Sequence, residues 1–239
     1  MSIYVIGDLH LSFSTNKPMD IFGNNWENHE EKIKKNWLEK VKESDTVILL
    51  GDFSWATYLE DTYEDFKYLN SLPGNKILLK GNHDYWWTTV TSMNKFIKEK
   101  GFEKINFLYN NSYLIENKII TGTRGWINSW KSSENYKILK RENDRLKLSI
   151  EKGIKEFGED KEIISFIHYP PFFKEDSVPE EINFIKNLKK YNVQKCYYAH
   201  LHGDSHKEAI EGTIDNIDFK LISSDYLGFD LLEIIWFLI

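Results

Sequence analysis

An α/β fold is predicted for this 239-residue chain by three observations. Short apolar, partly β-branched runs alternate with amphipathic helical segments through the first half. Several of these runs end in Gly-Asp or Gly-Asn, where a strand would stop and turn. No internal repeat, low-complexity linker or composition break interrupts the pattern, so a single domain over 1–239 is expected.

The elements follow in order. Ile3–Ile6 is apolar, as a strand buried on both faces is. A helix over Glu27–Lys42 puts Ile33, Trp37, Leu38 and Val41 on one face, leaving the charge run Glu30, Glu31, Lys32, Lys34 and Lys35 to solvent. Thr46–Leu50 is the next strand. A helix over Leu59–Leu69 aligns Leu59, Tyr63, Phe66 and Leu69. The strand Lys76–Leu79 precedes a helix over Val90–Lys100 that stops at Gly101. This βαβαβα order requires parallel strands joined by right-handed crossovers. Farther on, Phe107–Tyr109, Tyr113–Ile115 and Ile119–Gly122 read as hairpin strands. Glu134–Lys155 reads as a helix with Tyr136, Leu139, Leu146 and Ile150 near one face. Strands are then expected at Ile163–Ile167, Lys195–Ala199, Lys207–Ile210, Phe219–Ser223 and Leu231–Ile235. The one long irregular segment, Leu11–Asn25, contains Ser12, Ser14, Asn16, Pro18 and Gly23; a loop of that length in a compact domain points to function.

Composition narrows the partners. A formal charge of −6 opposes general affinity for a nucleic-acid backbone. The single cysteine, Cys196, rules out an internal disulfide and fits a reducing compartment. The chain enters its first motif within a few residues, leaving no room for a signal peptide. The apolar C-terminal stretch Leu231–Ile239 is too short to span a bilayer and reads as a buried strand or an oligomer contact. A cytoplasmic protein without a membrane partner is expected; its oligomeric state is not encoded in any pattern visible here.

Five separated segments end hydrophobic runs in hard ligands: Gly7-Asp8-Leu9-His10, Gly51-Asp52, Gly81-Asn82-His83-Asp84, His168, and His200-Leu201-His202. They hold five of the seven histidines. Asp, Asn and His without thiolates suit divalent cations that activate water, with Mn, Fe and Zn all compatible. In open α/β sheets ligands gather beyond the carboxyl ends of strands, which is where each segment lies. Asp8 and His10 are two apart, so extended backbone would aim both side chains alike, and His200 and His202 would repeat that geometry. The glycines before Asp8, Asp52 and Asn82 would permit the sharp turns.

In this order and over Asp8 to His202, the set resembles the calcineurin-like metallophosphoesterase superfamily. The resemblance implies a four-layer α-β-β-α sandwich of two mixed sheets flanked by helices. It implies two divalent metal ions, with Asp8, His10 and His202 on one, Asn82, His168 and His200 on the other, and Asp52 bridging. The catalytic His83 would stay off the metals and face the leaving group, and hydroxide shared by the cations would attack phosphorus. Asp84 would orient a ligand or a loop. The second motif departs from the protein-phosphatase branch: it runs Gly51-Asp52-Phe53-Ser54-Trp55 without that branch's Asp-Arg continuation. The third carries Asp84 where that branch has Glu. Protein phosphatase activity is therefore not expected. Ala199 replaces the family's usual Gly, a harmless exchange.

Other residues bear on the substrate. Trp55, Trp86, Trp87, Trp126 and Trp130 either form an aromatic wall for a base or sugar or fill gaps in the core. Arg124, between Gly122-Thr123 and Gly125, is either a substrate-binding phosphate ligand or a solvated arginine in a turn. His29 and His206 are expected at the surface. A small phosphate ester is the expected substrate, a phosphodiester slightly ahead of a monoester. A nuclease is the alternative that the acidic balance disfavours, and a non-catalytic scaffold is disfavoured because every ligand position is filled.

Overall fold

The computed structural model describes residues 1–15, 17–127, 129–173 and 177–234. Asn16 of the irregular loop and Ile235–Ile239 of the apolar C-terminal stretch lie outside them. Backbone contacts group the chain into two compact units, neither contiguous in sequence. The first comprises Met1–Phe107, His202–Asp204 and the described residues from Ile222; the second comprises Leu108–Leu201 and Ser205–Leu221.

The first unit is built on a mixed five-stranded sheet. Its strands are β1 (Ile3–Ile6), β2 (Thr46–Leu50), β3 (Asn75–Leu79), β4 (Ile105–Leu108) and β11 (Leu232–Glu233), in the order β11-β1-β2-β3-β4. β1, β2 and β3 run parallel, and β11 caps β1 antiparallel through Tyr4–Glu233 and Val5–Leu232. Ile3–Ile6 and Thr46–Leu50 are buried throughout, which explains their unbroken apolar runs. The helices are α1 (His29–Lys40), α2 (Tyr63–Ser71) and α3 (Val90–Glu99). In α1, Ile33 and Trp37 are buried, as is Val41 at the helix C-cap, whereas Leu38 is exposed, so the apolar stripe is narrower than the sequence suggests. Leu59–Thr62 is a 3-10 turn leading into α2, and Tyr63 lies at the surface. The expected strand at 107–109 is β4, which starts two residues earlier and joins the first sheet instead of forming a hairpin.

The second unit holds a mixed six-stranded sheet in the order β5-β6-β7-β8-β10-β9. Its strands are β5 (Tyr113–Ile115), β6 (Lys118–Thr123), β7 (Glu162–Ile167), β8 (Lys195–Tyr198), β9 (Gly212–Ile214) and β10 (Ile217–Leu221). The core strands β6, β7, β8 and β10 are parallel, while β5 and β9 run antiparallel at the edges. The long helix α4 (Ser133–Phe157), capped by Ser132 Oγ accepting from Asn135 N, buries Leu139, Leu146 and Ile150. Gly153 lets α4 approach β6, since a Cβ there would stand 2.3 Å from Ile119 Cγ2. A strand at Lys207–Ile210 is not formed: Gly203–Glu208 is a 3-10 segment. The edge strand is instead Gly212–Ile214, turned back onto β10 through Asp215 and Asn216, both with left-handed backbone. The sequence reading also missed α5 (Phe184–Lys190), a helix whose two buried side chains, Phe184 and Leu188, make too short a pattern to stand out. The two mixed sheets flanked by helices agree with the α/β class. Among the described residues, no helix is long and apolar enough to cross a membrane.

The irregular loop is tied down at its start. Leu11 N donates to Phe53 O at 2.9 Å, and Phe13 N to the Asp65 carboxylate at 2.9 Å. Asp65 is fully buried and also accepts from Ser54 Oγ. Burial outweighs these donors and lifts its pKa to about 6. Because this folded value exceeds the unfolded 3.8, the stabilisation it gives is complete below about pH 4 and is lost as pH rises through 6. Asp65→Asn, which keeps an acceptor for Phe13 and offers a donor to Ser54, should therefore gain on the wild type as pH rises from 4 to 7. The gain should approach about 3 kcal/mol from a shift of roughly 2 units. Urea unfolding of both proteins across this range checks it, and a pH-independent difference would contradict it.

Candidate metal centre

In the first unit, the segments after β1 and β2 zip together beyond the sheet. Asp8 N donates to Gly51 O at 3.0 Å, His10 N to Asp52 O at 2.9 Å, and Trp55 N to Leu11 O at 2.9 Å. On the other side Gly7 N bonds Ile222 O, Ser224 N bonds Gly7 O, and Ser224 Oγ bonds Asp8 O. Asp8 and His10 are not extended. Both have left-handed backbone, at φ +58° and +48°, as does Asp52 at +49°. The extended Asp-x-His geometry is thus incorrect; each residue turns individually, which Asp and His tolerate better than most. Of the preceding glycines, Gly51 has positive φ. Gly81 serves by close approach, since a Cβ there would sit 2.1 Å from Asp52 Oδ1.

Asp84 organises the loops that carry Asp52, Asn82 and His83. Its buried carboxylate accepts from Gly81 N (2.7 Å), Asp52 N (2.9 Å), Phe53 N (2.9 Å) and Trp86 Nε1 (3.0 Å). Asp52 in turn accepts from His83 N at 2.7 Å. Of the two roles open to Asp84, orienting a loop is the one seen here. Burial, followed by the charges of Asp8 and Asp84, pushes the Asp52 pKa well above the usual carboxylate range.

Asp8, His10 and His202 each offer one ligand atom, all within 4.8 Å of one another. His202 Nε2 lies 3.8 Å from Asp8 Oδ2. Two atoms each about 2.1 Å from one ion are at most about 4.2 Å apart, so small rotations bring the trio onto a cation. His202 Nδ1 is held by Asp225 Oδ1 at 2.8 Å, which aims Nε2 at the site in the usual carboxylate–imidazole arrangement. Burial opposes the protonated ring of His202, but Asp8 and Asp225 outweigh it and raise its pKa. The donor set and its crowded carboxylates fit a divalent cation. Asp225 was not found from sequence, because a lone Asp far from any motif carries no signal until its partner is known.

His83 is half-buried, with ring contacts to His10 (5.7 Å between centroids) and Trp55 (4.5 Å). Burial, the Lys17 ammonium and His202 together lower its pKa. The tryptophans divide between their two readings: Trp86 and Trp87 are core, whereas Trp55 stacks on His10 at 4.8 Å and lines a cavity of about 280 Å³. His29 is not at the surface. It is buried, with Nε2 3.1 Å from Leu9 O and Nδ1 2.9 Å from Glu30. The backbone of the first motif recruits it inward. His206 is partly buried.

The second unit holds the remaining candidates. His168 follows β7 and His200 follows β8, with ring centroids 5.2 Å apart; Tyr169 packs on His200 at 4.1 Å. Ala199 N donates to His168 O at 3.0 Å, and His200 is left-handed at φ +73°. Arg124 is not a solvated turn residue. It lies over the Trp126 ring at 4.6 Å and 3.7 Å from Glu142, a buried carboxylate shared with Arg141 and Arg145.

Comparison with known proteins adds the family. Residues 1–204 match the family model of the calcineurin-like phosphoesterases. No curated protein matches in sequence. Among solved structures, a protein of unknown function, AQ665 from Aquifex aeolicus, is 19% identical with a TM-score of 0.51, covering 97% of this chain and 95% of that one. The phosphopantetheinyl hydrolase PptH from Mycobacterium tuberculosis is 14% identical with a TM-score of 0.49, covering 93% and 88%.

Asp225→Asn should lower affinity for Mn²⁺ by about 10–100-fold, the usual cost of losing a carboxylate behind a ligating histidine. Calorimetric titration of the metal-free protein checks this. Unchanged affinity would mean that His202 needs no orienting partner.

Proposed function

From a chain that belongs to the calcineurin-like phosphoesterase family, and is thus a metal-dependent phosphoric ester hydrolase, we propose a dinuclear enzyme with a slight preference for phosphodiesters. Its metal dependence is supported by the Asp8–His10–His202 cluster with Asp225 behind it, and the second ion by the family order of the motifs. Following the family order of the motifs, these three would hold one cation. Asn82, His168 and His200 are assigned to the second, and Asp52 to both. The cations, whether Mn, Fe or Zn, supply Lewis-acid activation of water and neutralise phosphoryl charge.

The chain's own groups do the rest. His83, kept neutral by burial and by Lys17, donates an N–H hydrogen bond to the leaving oxygen as its charge develops. Asp84 fixes the backbone on which Asp52 and His83 sit. The diester preference rests on the missing Asp-Arg continuation after Asp52 and on the aromatic Trp55 beside His83. A monoesterase is the second reading, carried by Arg124, whose buried Nε has no hydrogen-bond partner among the described residues. It would grip a dianionic terminal phosphate.

Two measurements test these assignments. With Mn²⁺-reconstituted protein, kcat/KM for bis(p-nitrophenyl) phosphate should exceed that for p-nitrophenyl phosphate; a ratio well below one would make the monoesterase reading correct. Asp52→Asn should lower metal occupancy and turnover together, by more than the roughly 100-fold upper end for an outer-shell partner. Full activity in that variant would refute a shared carboxylate.

A further inference from the structure

The cavity of about 280 Å³ in the first unit has two kinds of wall. One is the chemical face, with His10, His83 and His202. The other is Met19, Phe22 and Trp26 from the long loop, together with Trp55. Within this wall Trp26 and Trp55 are fixed by their neighbours, whereas Phe22 is not. Trp26 is buried and meets His10 and His202 edge-on, each at 5.7 Å. It is braced from behind by His29 at 5.3 Å and Phe229 at 5.1 Å. Trp55 Nε1 donates to Met19 Sδ at 3.0 Å.

Phe22 and Trp55 run parallel, 8° apart with centroids at 6.5 Å. A third flat ring needs planes about 7 Å apart, two contact distances of about 3.5 Å, so it enters only if exposed Phe22 moves outward from Trp55. Phe22 is 56% exposed and has no core to fill. Lys17 Nζ lies 3.1 Å from the Trp55 ring centroid and 5.7 Å from that of Phe22, and its charge reaches His83. A cation therefore stands beside the aromatic pair and next to the off-metal histidine.

Resting on the phosphoesterase reading above, we infer that this cavity is the leaving-group subsite and takes a planar aromatic group, stacked on Trp55 and Phe22, with Lys17 attracting its anionic oxygen. The position follows from the walls. The phosphoryl group belongs at the ligand histidines, so the space beyond His83 receives the group that departs. The size also limits the occupant. An apolar cavity of about 150 Å³ holds a benzene, so this one has room for a ring with its ester oxygen. Lys17 over Trp55 is a cation–π contact that a ring entering between Trp55 and Phe22 breaks, which frees the ammonium for the departing oxygen.

The test uses a pair of non-hydrolysable probes that share a head group: phenylphosphonate and methylphosphonate, titrated calorimetrically into Mn²⁺-loaded protein. Wild type should bind phenylphosphonate at least about tenfold more tightly, the scale expected for burying one aromatic ring. Phe22→Ala, at an exposed position, should cut that ratio to below about threefold by weakening the phenyl probe alone. Lys17→Met should raise KM or lower kcat for an aryl ester while leaving Mn²⁺ affinity unchanged. Equal affinities in wild type, or a ratio unmoved by Phe22→Ala, overturn the subsite. If the protein still hydrolyses bis(p-nitrophenyl) phosphate in that case, only the subsite fails. If it binds neither phosphonate and hydrolyses no ester, the phosphoesterase reading fails and the subsite falls with it.

Discussion

The carboxylate of Asp84 is the constraint on which the first-unit site depends. It is wholly buried, and its oxygens collect three main-chain amides and the indole of Trp86 at 2.7–3.0 Å. Those amides belong to the loops after β2 and β3, so one side chain sets the spacing of two strand ends. The relation is reciprocal, because Asp52, whose amide Asp84 holds, accepts in turn from His83 N. Burial alone would make this charge costly, by several kcal/mol for an uncompensated carboxylate. These donors offset part of that cost, although burial still leaves the Asp84 pKa raised, and Gly81 is required because any side chain there would collide with Asp52. The result is a rigid base on which candidate ligands are aimed before any cation arrives.

That aiming stores energy. Asp8, His10 and Asp52 take left-handed backbone, at a cost of order 1–3 kcal/mol for each such residue. Backbone hydrogen bonds from Asp8 to Gly51 and from His10 to Asp52 hold them there. Asp8, Asp52 and Asp84 also crowd their negative charges, which is part of why the Asp52 pKa is raised. A divalent cation would turn that repulsion into attraction. Held by ligands that only folding brings together, it would return stabilisation growing with RT ln(1 + [L]/Kd). Strain at the ligands and affinity for the metal are two aspects of one arrangement.

This explains what the sequence made legible. Ligands at strand ends were readable because β1, β2 and β3 are buried on both faces and thus appear as unbroken apolar runs ending in polar residues. The parallel order, α3 and α4 were readable for the same reason of period and caps. Local geometry was not. Asp-x-His looks like a period-two pattern, yet the chain has already left the strand and turns at both residues. His29 looked like one more polar residue on a charged helix, but the carbonyl of Leu9 draws it inside. β9 was misplaced because Lys207–Ile210 and Gly212–Ile214 are both short and polar, and only pairing with β10 selects the second. Asp225 and Trp26 carry no motif; each acquires meaning from a partner remote in sequence.

The division of labour between strand ends and loop follows from these constraints. Residues between Gly7 and His10, or between Gly51 and Trp55, are locked by main-chain bonds on several sides, so changing them disturbs the ligands. The segment Lys17–Trp26 is held at its two ends and, between them, through Met19, which is buried and accepts from Trp55 Nε1. Phe13 is pinned by Asp65 at one, and Trp26 is wedged against His29 and Phe229 at the other. Between these anchors Phe22 projects with little packing of its own. Asp65 is the informative residue here, because an ionised carboxylate at that depth opposes stability at neutral pH. A hydrophobic side chain would bury better, but it could not accept both the Phe13 amide and the Ser54 hydroxyl. By joining those two groups it ties the root of the loop to the segment carrying Asp52 and Trp55, so that the aromatic wall keeps its register with the chemical one.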